Sequence, residues 1–439
     1  MLSAKSLVRI AEGLGADEVV AQLVTENSEL LKFVDNKIVN SQGQRLKQAN
    51  VVMAKDKRLI AVNLKELEED KAKDVLAGVL KNVSAYPVNE EFGGFARGPF
   101  SYREVKDIYD PGVADFGNSG VELLREALKA GRNVKRLSGV LTSATEIAEV
   151  ASSHDVDAEQ KSTSLYFSAR AFAEKNASGH GISASRMLYG FSPAKASEYA
   201  SGIALKALNP VQGEAGRYDV VFEPLPWSNL LSHVGDSSSI YSVETGTSFL
   251  AGKEGQQVAS REFSLTDDAR APNGIGSAVF DEEGRPSQTT PIIEKGVMKN
   301  FLHNTSTAAR HNTKSTANAG IISPEPFNLV VKTGTYKNQE IFQGITRGIW
   351  VTNVWYTRFQ HYAKGDFSTI PRDGMFLIED GKVTRPIHGL RISDNLPRML
   401  KNVARLGNQP VQIRGWEVWL PVTTPPCLVK DVNFSKSEQ

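Results

Sequence analysis

The spacing of apolar residues constrains this chain most: short β-like runs recur between polar turns, and only a few stretches carry an amphipathic helical stripe. Residues 19–24, 31–34 and 51–54 are β-like, with polar turns at Asp35-Asn36-Lys37 and Lys55-Asp56-Lys57-Arg58, and together they predict an antiparallel meander. A short helix is expected over residues 3–14, where Leu7, Ile10, Ala11 and Leu14 share a face. Another is expected over 68–83, where Ala72, Val75, Leu76, Val79, Leu80 and Val83 form a stripe that should cover the sheet. The Gly117-Asn118-Ser119-Gly120 turn leads into a helix at about 121–129, and residues 135–190 read as further antiparallel strands. Ser192-Pro193 supplies an N-cap and a first-turn proline for a helix running to Asn209-Pro210.

Residues 210–217 combine a helix stop with small and polar residues, as a boundary would, giving domains at 1–211 and 212–439. Beyond it strands dominate, at 219–222, 291–293, 328–331 and 374–378, with one more helix at about 395–406 that puts Leu396, Met399, Leu400 and Val403 on one face. The fold class is therefore α+β: two domains, each a largely antiparallel or mixed sheet with packed helices.

With 51 Lys and Arg against 50 Asp and Glu, the formal charge of +1 gives no whole-chain field for a nucleic acid or an anionic membrane. The single cysteine, Cys427, excludes an internal disulfide and a cysteine-rich metal site. No run approaches the length of a membrane span, and the N-terminal stretch with Lys5, Arg9 and Glu12 lacks the apolar core of a signal peptide. A cytoplasmic protein is expected.

The small motifs of catalysis are missing. No two of the seven histidines lie three to five positions apart, so a helical two-histidine metal site is absent. There is no Gly-x-Ser-x-Gly elbow and no Walker A loop, and Gly274-Ile275-Gly276 lacks the third glycine of a dinucleotide fingerprint. That glycine pair reads as a backbone turn. The acidic clusters Asp267-Asp268 and Asp281-Glu282-Glu283-Gly284 fit turn chemistry better than an EF-hand. Trp350, Trp355, Tyr356, Phe359 and Tyr362 form the densest aromatic series, suited to packing a sheet or lining an interface. Cys427 is expected to pack as a small apolar group near a terminal strand.

A larger pattern is more specific. Gly246-Thr247-Ser248, Gly252, Gly255 and Val258-Ala259-Ser260 are followed by Asp281-Glu282-Glu283-Gly284 and Gln288-Thr289. Further on come Gly365-Asp366-Phe367-Ser368, Glu379-Asp380-Gly381 and Pro386-Ile387. Together these closely resemble the C-terminal domain of the TldD/PmbA family, in which PmbA is also called TldE. Gly15-Ala16-Asp17 before a β meander is similar to the family's start.

The resemblance implies a catalytic and a non-catalytic branch. TldD-like members carry His-Glu-x-x-x-His on a helix after the first strand of the C-terminal domain, and a late cysteine completes a zinc site for peptide hydrolysis. The matching segment here is Leu230 to Ser238. In one register Ser232 and Ser237 stand at the histidine positions and His233 at that of Glu. In the other, Leu231 and Asp236 take the histidine positions and Ser232 that of Glu. Cys427 lies after Leu420-Pro421-Val422, whereas the family's metal cysteine precedes that segment.

The resemblance thus implies a PmbA/TldE-like subunit with no catalytic residue, no metal ligand and no cofactor of its own. Zinc would belong to a TldD-like partner, in a heterodimer acting on unfolded peptides that add as strands to a sheet edge. The aromatic series would then line the chamber or an interface. Two alternatives stay open: a stand-alone homodimeric metallopeptidase using His233, Asp236 and a distant histidine, and a peptide-binding homodimer without catalysis.

Overall fold

The computed structural model describes residues 2–65, 68–114 and 116–437. The chain begins with helix α1 (Ala4–Gly13), closed by a capping box in which Ser3 Oγ accepts from the Ser6 amide and Ser6 Oγ accepts from the Ser3 amide. Strands β1 (Glu18–Val34), β2 (Lys37–Lys55) and β3 (Arg58–Leu64) follow, then helices α2 (Glu69–Lys81) and α3 (Gly117–Ala130). Strands β4 (Arg136–Ser152), β5 (Asp157–Glu174) and β6 (Ala177–Ser185) and helix α4 (Pro193–Lys206) complete this half. The six strands form one antiparallel sheet in the order β3-β2-β1-β4-β5-β6.

Both expected hairpin turns are present, and their paired left-handed residues, Asp35-Asn36 and Asp56-Lys57, match the twist of the strands they join. The runs at 19–24 and 31–34 are not separate strands. They are the two ends of β1, which stays paired through its polar middle because β2 and β4 satisfy its backbone on both sides. Gly117 to Gly120, expected as a turn, forms the first turn of α3. Ser192 precedes α4 without making the side-chain cap bond.

β1 alternates between two environments. Val19, Ala21, Leu23, Leu31 and Phe33 point to the face covered by the helices. Val20 packs instead with Phe280 of the C-terminal half, and Gln22 Nε2 donates to the Glu282 carbonyl at 2.7 Å. One face of the sheet thus meets helices and the other meets C-terminal loops.

The C-terminal half holds two further sheets. A ten-stranded mixed sheet runs Val354–His361, Asp366–Pro371, Leu390–Asn395, Cys427–Lys436, Gly216–Phe222, Arg347–Val351, Met375–Glu379, Lys382–His388 and Val211–Gln212, with Val403–Leu406 also pairing on Cys427–Lys436. A six-stranded sheet runs Val297–Met298, Thr289–Glu294, Leu265–Asp268, Leu329–Val331, Val418–Thr424 and Val411–Gly415. The helix expected over 395–406 stops at Lys401, since Val403 to Leu406 turn into a strand against Cys427 to Val429. Val211-Gln212 pairs with Ile387-His388 and so belongs to the C-terminal sheet. Among the described residues, no helix is long and apolar enough to cross a membrane.

Candidate functional site

Strand Gly216–Phe222, in the middle of the ten-stranded sheet, runs through Glu223 into helix α5 (Pro224–Ser238), with Pro224 and Pro226 in its first turn. Leu225, Trp227, Leu230, Leu231 and Val234 are all buried, and so are Ser228, Asn229, Ser232, Ser237 and Ser238, so α5 is a core helix covered on nearly every side. From its middle onward only His233 and Asp236, three residues apart and therefore on one face, reach partial exposure.

In neither register do the side chains at the family's histidine positions offer a ligand set. Leu231 is fully buried, Ser232 Oγ donates to the Ser228 carbonyl at 3.0 Å, and the Ser237 carbonyl accepts from Ser248 Oγ at 2.6 Å. The His233 ring lies between Phe359 and Trp419, each 4.6 Å away between centroids, and its buried Nε2 has no hydrogen-bond partner. Burial, with the nearby Arg358 charge adding to it, pushes its pKa down to about 4. Asp236 accepts from Trp419 Nε1 at 3.2 Å, and burial pushes its carboxyl up to about 6. A cavity of about 240 Å³ opens beside them, bordered by Ser237, Phe249, Phe359 and Tyr362.

The family resemblance implies a zinc ion, and these residues do not fit one. Zinc needs three or four converging nitrogen, sulfur or oxygen donors. Among the described residues no three His, Cys, Asp or Glu side chains gather as such a set. Cys427 is fully buried in its strand opposite Phe222 and Leu406, and burial holds its thiol far above the range in which it ionises. Trp419, which closes the α5 face against both His233 and Asp236, has no counterpart in the sequence reading. Its position directly before Leu420-Pro421 was the only available signal.

The aromatic series does not form one surface. Trp350 is a core residue, not a lining one: it is 7% exposed, packs on Phe342 and Phe376, and donates through Nε1 to Glu223 Oε1 at 2.8 Å. Trp355 lies under the Arg372 guanidinium, and Tyr356, with a left-handed backbone where the strand Val354–His361 shifts register, lies under that of Arg358. Phe359 and Tyr362 stack on each other at 5.3 Å and alone reach the α5 cavity.

One arrangement resembles a hydrolase triad and fails on hydrogen-bond polarity. Ser168 Oγ meets His180 Nε2 at 2.8 Å, and His180 Nδ1 meets Asn353 Nδ2 at 3.1 Å. Asn353 is fixed in orientation, because its Nδ2 donates to Asp373 Oδ2 and its Oδ1 accepts from the Val354 amide. His180 Nδ1 must therefore accept, which leaves the ring proton on Nε2, aimed at Ser168. A general base needs the opposite tautomer.

The acidic turns divide by role. Asp267 accepts from the Phe327 and Asn328 amides and from Asn318 Nδ2, and Asp281 accepts from the amides of Glu283, Arg285 and Ala319. Asp281 is held by amides of its own turn, as turn chemistry predicts, whereas Asp267 lies in the strand Leu265–Asp268 and is held by amides 60 and 61 residues further along the chain, so the turn reading does not hold for it.

Comparison with known proteins gives these features their context. Residues 215–436 match the PmbA/TldA metallopeptidase C-terminal domain, and residues 118–209 match the central domain of the same family. A metalloprotease of Methanothermobacter thermautotrophicus is 27% identical over 211 residues, 47% of this chain and 46% of that protein. An uncharacterised protein of Methanocaldococcus jannaschii is 25% identical over 427 residues, 94% of this chain and 96% of that one. The match to the first, as to several other curated relatives, thus spans about half of their length. In three dimensions the crystal structure of TldE from Thermococcus kodakarensis superposes with a TM-score of 0.87 at 22% identity, covering 98% of this chain and 99% of that one, which shows a shared fold. With more than half of its length matched by the family's domain patterns, the chain belongs to the PmbA/TldD metallopeptidase family.

Proposed function

We propose that this chain is a non-catalytic subunit of the TldE/PmbA kind, working with a TldD-like zinc metalloprotease on unfolded peptides. The α5 face carries the reading: where a catalytic relative needs converging ligands, this chain has a serine hydroxyl, that of Ser232, bonded to backbone, an imidazole between two rings and a carboxyl held by an indole. With no ligand set there is no Lewis acid and no activated water. What this chain would supply is surface. β2 pairs with β1 along its length but with β3 only over Ala49 to Lys55, so among the described residues no strand pairs with the other edge of residues 37–48. Such an edge holds extended backbone whatever its side chains are.

The test is metal analysis and a cleavage assay on a disordered peptide, with the chain alone and after co-expression with a TldD-like protein. We expect no bound zinc and no cleavage from the chain alone, and equimolar coelution with cleavage from the pair. One tightly held zinc per chain together with cleavage by the chain alone would overturn the proposal, as would failure of the two proteins to coelute.

A further inference from the structure

Away from α5, a cavity of about 360 Å³ lies between the outward face of β1 to β3 and the C-terminal loops. Most of its wall is apolar, with Val20, Val52, Phe92, Phe95, Ile321 and Pro324 among the lining residues. Into this wall the turn after Asp281 places two carboxylates, Glu282 and Glu283. Asp281 is occupied by three backbone amides; Glu282 has the Gln22 side chain and Glu283 has Thr305 as hydrogen-bonding neighbours, but these do not satisfy both oxygens of either carboxylate. Each leaves its Oε2 buried without a hydrogen-bond partner, and Glu283 is only 7% exposed.

The charged groups around them do not supply the missing partner. Arg285 lies over the Phe100 ring with its Nη2 3.4 Å from Thr305 Oγ1, and Arg310 is engaged by both oxygens of Glu244. Asp281 and Glu325 add negative charge beside Glu282. Thr305 and Arg285 favour the ionised form of Glu283, while Asp281 opposes it. Of the neighbouring tyrosines, Tyr102 donates to the Gly284 carbonyl and Tyr241 stands at the cavity wall. A buried carboxylate oxygen without a partner costs free energy that a bound donor would recover.

The wall discriminates between cations. A divalent metal needs several oxygen or nitrogen ligands, and no metal-holding group of three exists among the described residues. An ammonium needs only acceptors for its three N–H bonds, and its alkyl stem suits an apolar wall. We propose that this cavity binds a primary ammonium group on an apolar stem, a lysine side chain or a free peptide amino terminus, with Glu282 and Glu283 as its anionic partners. The site is separate from α5 and stands whether or not the chain works as a subunit.

Burial pushes Glu282 up to about 7 and Glu283 to about 8. Without a bound cation the two carboxyls are therefore largely protonated at pH 6, and an arriving ammonium drives ionisation. Binding should release protons and tighten as pH rises from 6 to 7.5, while a lysine amine remains charged.

Isothermal titration of the full chain with three dipeptides tests this. N-acetyl-Leu-Lys-amide presents the side-chain amine, Leu-Leu-amide presents the terminal amine, and N-acetyl-Leu-norleucine-amide is the neutral control. We expect at least one amine to bind tenfold or more tighter than the control, and several-fold tighter at pH 7.5 than at pH 6; the arm that binds identifies the source. Glu283→Gln and Glu282→Gln should each weaken binding about tenfold while melting like the parent at pH 6, where the carboxyls they replace are neutral. Amines that bind no better than the control, or that bind the folded variants unchanged, would overturn the proposal.

Discussion

A carboxylate with no solvent exposure survives only where charge and hydrogen bonds replace water, and Asp373 meets that condition. Its Oδ1 accepts from Arg170 Nη2 at 2.6 Å, from Arg170 Nε at 3.1 Å and from Ser178 Oγ at 2.5 Å, and its Oδ2 from Asn353 at 2.9 Å. Arg170 and Ser178 come from β5 and β6, so the group ties the N-terminal sheet to a C-terminal loop. Asp373→Ala leaves Arg170 without its partner and should cost about 3–5 kcal/mol in denaturant unfolding. Although burial opposes ionisation, the Arg170 charge and the other donors hold the Asp373 pKa below its ordinary 3.8. This contribution is therefore complete above that value and lost as pH falls through the lower folded one. At this scale the sequence was only partly legible. The segment Leu230 to Ser238 and the late position of Cys427 could be picked out by resemblance, although two registers, with Ser232 and Ser237 or with Leu231 and Asp236 at the histidine positions, stayed open. Trp419 and the His180–Asn353–Asp373 contacts could not, because they join positions far apart along the chain that only the packing brings together.

At the scale of elements, β6 and α4 show how small residues decide distance. Ala196, Ala200 and Ala204 recur every four residues on α4, and Gly179 and Gly181 face them from β6. A Cβ on Gly179 would stand 2.0 Å from the Ala200 carbonyl oxygen, and one on Gly181 2.0 Å from that of Ala196. Backbone cannot yield as a flexible side chain does, so Gly181→Ala should push α4 off the sheet and lower stability by about 1–3 kcal/mol, read from the denaturant midpoint. The helical stripes of α1 and α2 were legible because one face of each is buried against the sheet. The helix over 395–406 was misread because Val403 satisfies a helical stripe and a strand equally well, and only pairing with Val429 decides between them.

For the whole molecule, buried acids set the response to alkali. Asp267, Glu282 and Glu283 have pKa values raised by burial to about 7, 7 and 8. The folded state therefore holds more protons than the unfolded chain at neutral pH, and stability must fall as pH rises through these values. The buried histidines His180, His233 and His303, pushed down to about 4, act in the opposite direction, but only below about pH 6.5. The unfolding free energy from denaturant titrations should thus fall between pH 6.5 and 8.5 by more than about 1 kcal/mol, and Glu283→Gln should flatten that slope. The division into helix-rich and strand-rich stretches was legible from periodicity. The order of the three sheets was not, since it depends on long-range pairing such as Gly216–Phe222 beside Arg347–Val351. The half-open strand β2 also bears on how the protein must be handled. Lys37, Arg45 and Lys47 lie along the unpaired stretch, with Gly43 among them, and no long apolar run accompanies them. Repulsion between these cations keeps two such edges from zipping together. Concentrated salt screens that repulsion, so storage at high ionic strength invites the very self-association that dilute buffer prevents.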